Sequence, residues 1–364
     1  MYPLIHERNI RMQEENRNTT VSIVKGIAII AVVVGHCACY AGINTFINQW
    51  HLAAFFFVAG FCFKEKYVDT PIEYIRRRFK SLYLPFVKFG VFFILAHNLF
   101  WLISFEPTYW DFGQTWKELY KLVFKLNIDD EQLLGAMWFC PILLISSISM
   151  MFVLKFSPRN RHIGWNILFS SLVFAIASYA LSLHLWSPYG LWQCLVLSFM
   201  MINAFWFRKS LKNERIRHLL SDNRYVNISI FTVGTLILYI TYRYGFLAAL
   251  QSGTIPYENC VALLIIPTVG GFTVFSLASL VKDMRNMKWL IYVGDHSMSI
   301  MALNILAFKM VGVIVCAVYS LPWSENTVFQ HMSYTHGNYW MWVYLVAGVG
   351  IPLLCDKIYR KIRK

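Results

Sequence analysis

The sequence predicts an all-α integral membrane protein, a bundle of about ten transmembrane helices with both termini in the cytoplasm. Three observations predict it. Hydrophobic residues make up 57% of the 364 and charged residues only 14%, a balance that excludes one or two water-soluble domains. The apolar residues gather into stretches of roughly 18–25, each long enough to cross a hydrocarbon core as a helix, which alone among open elements satisfies its own backbone there. The basic residues alternate with the connections between those stretches.

The predicted spans cover residues 21–40, 46–63, 82–104, 133–156, 163–185, 191–207, 225–244, 255–281, 289–321 and 339–359. The twenty residues before span one are polar, with no apolar core ahead of a small-residue cleavage site, so they are expected to be a cytoplasmic tail and not a signal peptide. A formal net charge of +14 suggests nucleic acid until the charges are placed. Arg8, Arg11, Arg17 and Lys25 lie at the start, Lys64, Lys66, Arg76, Arg77, Arg78 and Lys80 after span two, and Lys155, Arg159 and Arg161 after span four. Arg208, Lys209, Lys212, Arg215, Arg217 and Arg224 follow span six, Lys282, Arg285 and Lys288 span eight, and Lys357, Arg360, Lys361, Arg363 and Lys364 close the chain. Together these are 27 of the 33 Lys and Arg residues, whereas the opposite connections hold only Lys117, Lys121, Lys125 and Arg243. The asymmetry reports orientation, and the expected surroundings are a lipid bilayer with no nucleic-acid partner.

No Gly/Ser linker, low-complexity tract or domain-sized insertion interrupts the chain, so one membrane-embedded domain over residues 1–364 is expected. In the connection 105–132, Trp116, Leu119, Tyr120, Val123 and Phe124 recur at helical spacing with Lys117, Glu118, Lys121 and Lys125 on other faces. This predicts an interfacial helix, or a lid on which sugars stack. The connection 322–338 carries His331 and His336 without a motif. The eight cysteines are scattered singly, without CxxC spacing, and predict neither a disulfide framework nor a metal site.

Ionisable residues inside a bilayer are expensive, so those within spans are where chemistry is sought. Lys25 and His36 are eleven residues apart, almost three helical turns, and share one face about 16 Å apart along the axis. His51, near the start of span two, is expected at the level of His36. A neutral imidazole accepts an alcohol proton at physiological pH. His97 and His184 stand alone in their spans and are read equally well as histidines hydrogen-bonded within the bundle. The run Arg76-Arg77-Arg78-Phe79-Lys80 either anchors the topology on anionic lipid or docks a phosphorylated cofactor, since guanidinium groups bind phosphate bidentately. A carrier thiol on a long arm would bring its acyl group from there to His36.

At these residues the chain resembles bacterial acyltransferase family 3, in particular its fucose 4-O-acetylase-like branch. The similar segments run in order: Ser22 to Ile29 with Gly35-His36; Trp50-His51-Leu52 through Phe55-Phe56-Phe57 to Gly60; the basic run up to Pro85; Gly135-Ala136-Met137-Trp138-Phe139; and Ile291-Tyr292-Val293-Gly294 with Ser297 and Asn304. The resemblance implies acetyl transfer from acetyl-CoA to a hydroxyl of a surface polysaccharide or lipid-linked glycan, at the bacterial cytoplasmic (inner) membrane, with no resident metal. His36 then corresponds to the family's essential histidine, expected to act as general base or transient acyl carrier, with His51 to hold or relay the proton. Lys25, Arg76, Arg77, Arg78 and Lys80 would then hold the CoA phosphates, and Trp138 and Asn304 would support the site. Four departures stand out: Lys25 where Arg is frequent, Ser81 in place of a second Arg, Asn304 in place of a histidine, and Ala53-Ala54 where a proline step is common, which draws attention to the geometry of that helix. The alternatives are a transporter or flippase without bond chemistry, which inverted repeats and paired broken helices would have signalled, and an inactive partner that keeps the fold.

Overall fold

The structure, a computed structural model, describes residues 2–37, 39–157, 162–220, 222–245, 257–329, 332 and 339–362; side chains are described from residue 19 onward, apart from 219, 257–261, 263 and 264 within those ranges. Arg159, Arg161, His331, His336, Arg363 and Lys364, and the side chains of Arg8, Arg11, Arg17 and Cys260, lie outside the described residues.

The chain is all-α. In order, the helices are α1 (Tyr2–His36), α2 (Ala41–Asn48), α3 (His51–Phe61), α4 (Pro71–Arg78), α5 (Leu84–Leu102), α6 (Phe112–Tyr120), α7 (Phe139–Phe156), α8 (Ile163–Ser182), α9 (Leu191–Ser210), α10 (Glu214–Leu220), α11 (Arg224–Arg243), α12 (Tyr257–Val281), α13 (Lys288–Asp295), α14 (Ser297–Tyr319) and α15 (Tyr339–Ile362). Among the described residues eight helical segments are long and apolar enough to span a membrane. The two other predicted spans correspond to α3, which is short, and α12, whose described apolar part is Ile265–Val281.

Three predicted spans differ in detail. Span two is divided by the turn at Gln49 and Trp50, leaving α3 as a regular helix through Ala53 and Ala54, both fully buried. Span three extends backwards into α4 through a π turn at Phe79–Tyr83, in which the Leu84 amide donates to the Phe79 carbonyl. Pro85 has no amide for the Ser81 carbonyl, and the wider turn absorbs the mismatch. Span nine is broken at His296 into α13 and α14, because the polar Asp295 and His296 turn the chain where α13 meets α1.

Burial sorts the helices. The segment containing α7 is 72% buried, whereas those of α11 and α15 are 17% buried, so α1, α3, α7, α9 and α14 form the centre and α5, α8, α11 and α15 the rim. The exposed Leu95, Leu99, Leu102, Leu236 and Val346 of the rim suit contact with acyl chains rather than water. Two contacts bring backbones together. A methyl group at Gly60 would strike the Met201 backbone, joining α3 to α9, and one at Gly294 would strike the Ser22 carbonyl oxygen, joining α13 to α1. α6 fits the interfacial expectation: Trp116 and Tyr120 are exposed, as is Phe124 just beyond, while Leu122 is buried against Gly90.

The Gly294→Ala variant is expected to lose about 1–3 kcal/mol through overpacking, read as a lower melting temperature of the detergent-solubilised protein. Gly350→Ala, where an added methyl meets nothing within 4 Å, is expected to melt like the wild type.

Candidate active site

Lys25 belongs to the half-buried face of α1 and lies 3.7 Å from the Asp295 carboxylate, to which Ser22 Oγ also donates at 2.5 Å. The ion pair clasps α1 to α13 where Gly26 and Gly294 let them touch. Lys25 also lines a cavity of about 270 Å³ whose walls include Phe55, Cys62, Arg78, Phe139 and Met301. Its mouth is cationic and its interior largely apolar.

The basic run divides. Arg78 alone turns to this cavity, its Nε donating to the Tyr74 hydroxyl (3.0 Å) and its plane lying over the Tyr74 ring. Arg77 is tied to Glu73 at 2.9 Å, and Arg76 and Lys80 are exposed on the outside of the bundle. Ser81, also exposed, donates to the Arg78 carbonyl. Arg76, Arg77 and Arg78 all precede the π turn, and their different orientations follow from the roughly 100° by which each residue advances around α4.

Other cations gather at this end, which spacing along the chain does not bring together. Lys64, Arg208, Lys209 and Lys212 line a neighbouring cavity of about 310 Å³ with Glu65 and Phe205. Arg208 donates to the Phe63 carbonyl (3.1 Å) and Lys209 pairs with Glu65 (2.9 Å). Cys62, the exposed residue that ends α3, is within electrostatic reach of Arg208, Arg78, Lys25 and Lys64. Lys64 comes from the connection after span two and Arg208, Lys209 and Lys212 from the one after span six, and each counted in the sequence only as a topology signal. Asp295 had a signal: a carboxylate interrupting a predicted apolar span.

Neither histidine lines the cavity, yet both lie further along its walls. His51 is one turn before Phe55 on α3 and is buried. Its Nδ1–H donates to the Ile47 carbonyl at 2.7 Å; because a carbonyl only accepts, Nε2 keeps its lone pair. His36, half-buried at the end of α1, is close enough to His51 to interact with it electrostatically. On α14, Asn304 lies one turn beyond Met301, fully buried, and neither amide atom has a hydrogen-bond partner among the described residues. An orphaned amide in a packed interior costs about 1–3 kcal/mol, so its retention asks for a ligand or a water.

Trp138 faces elsewhere. With Lys125, Asn127, Asp129 and Tyr189 it lines a third cavity of about 410 Å³, at the other end of the bundle. Pro141, Ile142 and Ile145 continue that wall, while Phe139, Cys140 and Leu143 line the cationic cavity. The first two turns of α7 thus partition two chambers, one on each face.

Cys62 reports the potential at the mouth. A sulfonate-bearing methanethiosulfonate is expected to modify it about tenfold faster than a trimethylammonium one, by attraction to the clustered cations, and the preference should shrink in Arg78→Ala and Arg208→Ala. Mass spectrometry of the Cys62 peptide measures both rates; equal rates in the wild type would mean that the cations do not act together.

No curated protein and no solved structure matches the chain. The family model of acyltransferase family 3, described as an acyltransferase domain, matches residues 18–360, from the membrane part of α1 to the last turns of α15. With its apolar helical bundle and its cationic chamber beneath two histidines, the chain is a multi-pass membrane protein that belongs to this family of acyltransferases.

Proposed function

We propose that this acyltransferase moves an acetyl group from cytoplasmic acetyl-CoA to a hydroxyl of a carbohydrate, in a bacterial cytoplasmic membrane. The observation that carries the reading is the joining of a cationic mouth to a narrow apolar chamber that points toward His36, His51 and Asn304. Arg78, Lys64 and Arg208 suit the phosphates, with Arg76, Arg77 and Lys80 supplying attraction from outside and Lys25 held as an ordering ion pair. The chamber, lined by Phe55, Phe139 and Met301, suits an uncharged arm ending in a thioester.

In the reaction, the acceptor hydroxyl loses its proton to His36 as its oxygen bonds to the thioester carbonyl carbon. The carbon–sulfur bond then breaks, and the CoA thiolate takes up a proton. General-base catalysis of this kind contributes about 10²–10⁴-fold. His51, whose Nε2 lone pair is fixed by the Ile47 bond, relays the proton. A transient acyl-His36 would divide the same transfer into two steps. The chamber bearing Trp138 and Tyr189 offers aromatic faces and polar groups of the kind that hold sugars, and supports a carbohydrate acceptor arriving from that end.

Transfer of labelled acetyl from acetyl-CoA to envelope glycan in purified membranes tests this directly. His36→Ala is expected to lose at least about 100-fold in rate while still binding CoA. Arg78→Ala and Arg208→Ala should each raise KM for acetyl-CoA about tenfold, a loss typical of a charge-assisted phosphate contact, with smaller effects from Arg76→Ala and Arg77→Ala. Asn304→Leu should melt higher, by removing an unpaired amide, and turn over more slowly. Full activity in His36→Ala, or no consumption of acetyl-CoA, would end the proposal.

A further inference from the structure

At the end of the bundle opposite the cationic mouth, three lone-pair-bearing side chains converge away from the proposed reaction path. His97, near the end of α5, is 1% exposed; its ring lies flat on Trp110 with centroids 3.5 Å apart. Asn98 holds Trp110 in place by bonding both its amide and its carbonyl. The Nε2 of His97 is 2.9 Å from the Thr108 carbonyl oxygen. A carbonyl cannot donate, so Nε2 carries a proton, and in the neutral ring Nδ1 is then bare. That Nδ1 faces Glu131 Oε2 at 2.8 Å, another acceptor. Glu106, also 1% exposed, has an Oε2 that meets no hydrogen-bond partner among the described residues. The ligand atoms of His97, Glu106 and Glu131 all lie within 4.8 Å of one another.

What surrounds them completes the pattern. The Leu133 amide donates to Glu106 Oε1 (3.2 Å) and to Glu131 Oε1 (3.3 Å), leaving Glu106 with an oxygen that meets no partner among the described residues and Glu131 with one that faces His97 Nδ1. The imidazole is oriented by a backbone carbonyl on its far nitrogen, the outer-sphere bond that metal-ligating histidines usually make. Lys309 is a charge neighbour of Glu106, but its Nζ is engaged by the carbonyls of Asn326 and Val328 and supplies Glu106 with no hydrogen bond.

We propose that His97, Glu106 and Glu131 form a structural site for a divalent transition-metal ion, one imidazole nitrogen and two monodentate carboxylates with a further position for water. One nitrogen and two oxygens suit zinc or manganese. The ion ties α5 to both ends of the connection 103–131, which carries α6 and the Lys125–Asp129 wall of the Trp138 chamber. It therefore holds that chamber's wall without entering the acyl-transfer chemistry.

The test is metal analysis of the full-length protein, purified in detergent with a tag free of histidine and dialysed against Zn2+ or Mn2+. About one equivalent is expected for the wild type, falling at least about tenfold in Glu106→Gln and Glu131→Gln, since loss of one of three ligands removes most of the affinity. Melting gives an independent reading: Zn2+ should raise and a chelator should lower the wild-type melting temperature, and neither should move that of Glu106→Gln. Glu106→Gln keeps the shape of the side chain, so a folded variant that ignores both reagents isolates the site. Wild-type protein that holds no more metal than Glu106→Gln, with a melting temperature indifferent to Zn2+ and chelator, would overturn the proposal and assign the cluster to protons shared among the three side chains.

Discussion

The approach of α13 to α1 constrains everything built around it. Gly26 and Gly294 let the two helices approach until backbone meets backbone, and Lys25 is carried to Asp295. A lysine within a membrane helix has to be paired or reach water, and here it does both, bonded to Asp295 on one side and open to the cationic chamber on the other. Because α1 is continuous from there to His36, the same contact fixes how far the histidine stands from the chamber. Phe55 on α3 and Met301 on α14 complete the walls, and the polar residues next along those faces, His51 and Asn304, fall beside the path by helical periodicity alone.

Two chambers separated by the first turns of α7 divide the molecule chemically. The one at the basic end is cationic at its rim and apolar within; the other mixes aromatic rings with Asn127, Asp129 and Lys125. Phe139 belongs to the first and Trp138 to the second, so consecutive residues serve different compartments. Such a wall keeps the contents of the two compartments apart, while both remain within a few residues of the same helix start.

What the sequence disclosed, and what it hid, follows from range. Spans, the shared face of Lys25 and His36, and the interfacial character of α6 are properties of consecutive residues, legible from spacing. The break at Asp295 was blurred because the residues on both sides are apolar, and a hydropathy average runs across a single carboxylate. Arg208 and Lys64 are more than a hundred residues apart in sequence, and nothing local says that they face the same thiol. The basic run misled in a different way: four cations within five residues look equivalent, but a helix can turn only one or two of them inward, and Arg78 is the one that Tyr74 and the Ala59 carbonyl receive. His97 seemed an isolated membrane histidine because its partners, Glu106 and Glu131, sit outside the spans, in a connection that folds back over the end of α5.

The π turn between α4 and α5 makes this junction tolerant of a change in chain length. Five residues, Phe79–Tyr83, occupy a turn that an α-helix would close with fewer, and each residue in an α-helix advances the face by about 100°. Because the wider turn takes up its extra residue locally, removing one residue here would leave a smoother helix with Arg78 facing much as before, whereas removing one within α5 would turn the faces that follow by roughly that angle relative to Arg78. Among related chains, single-residue alignment gaps at this position would therefore leave the same cation at the chamber.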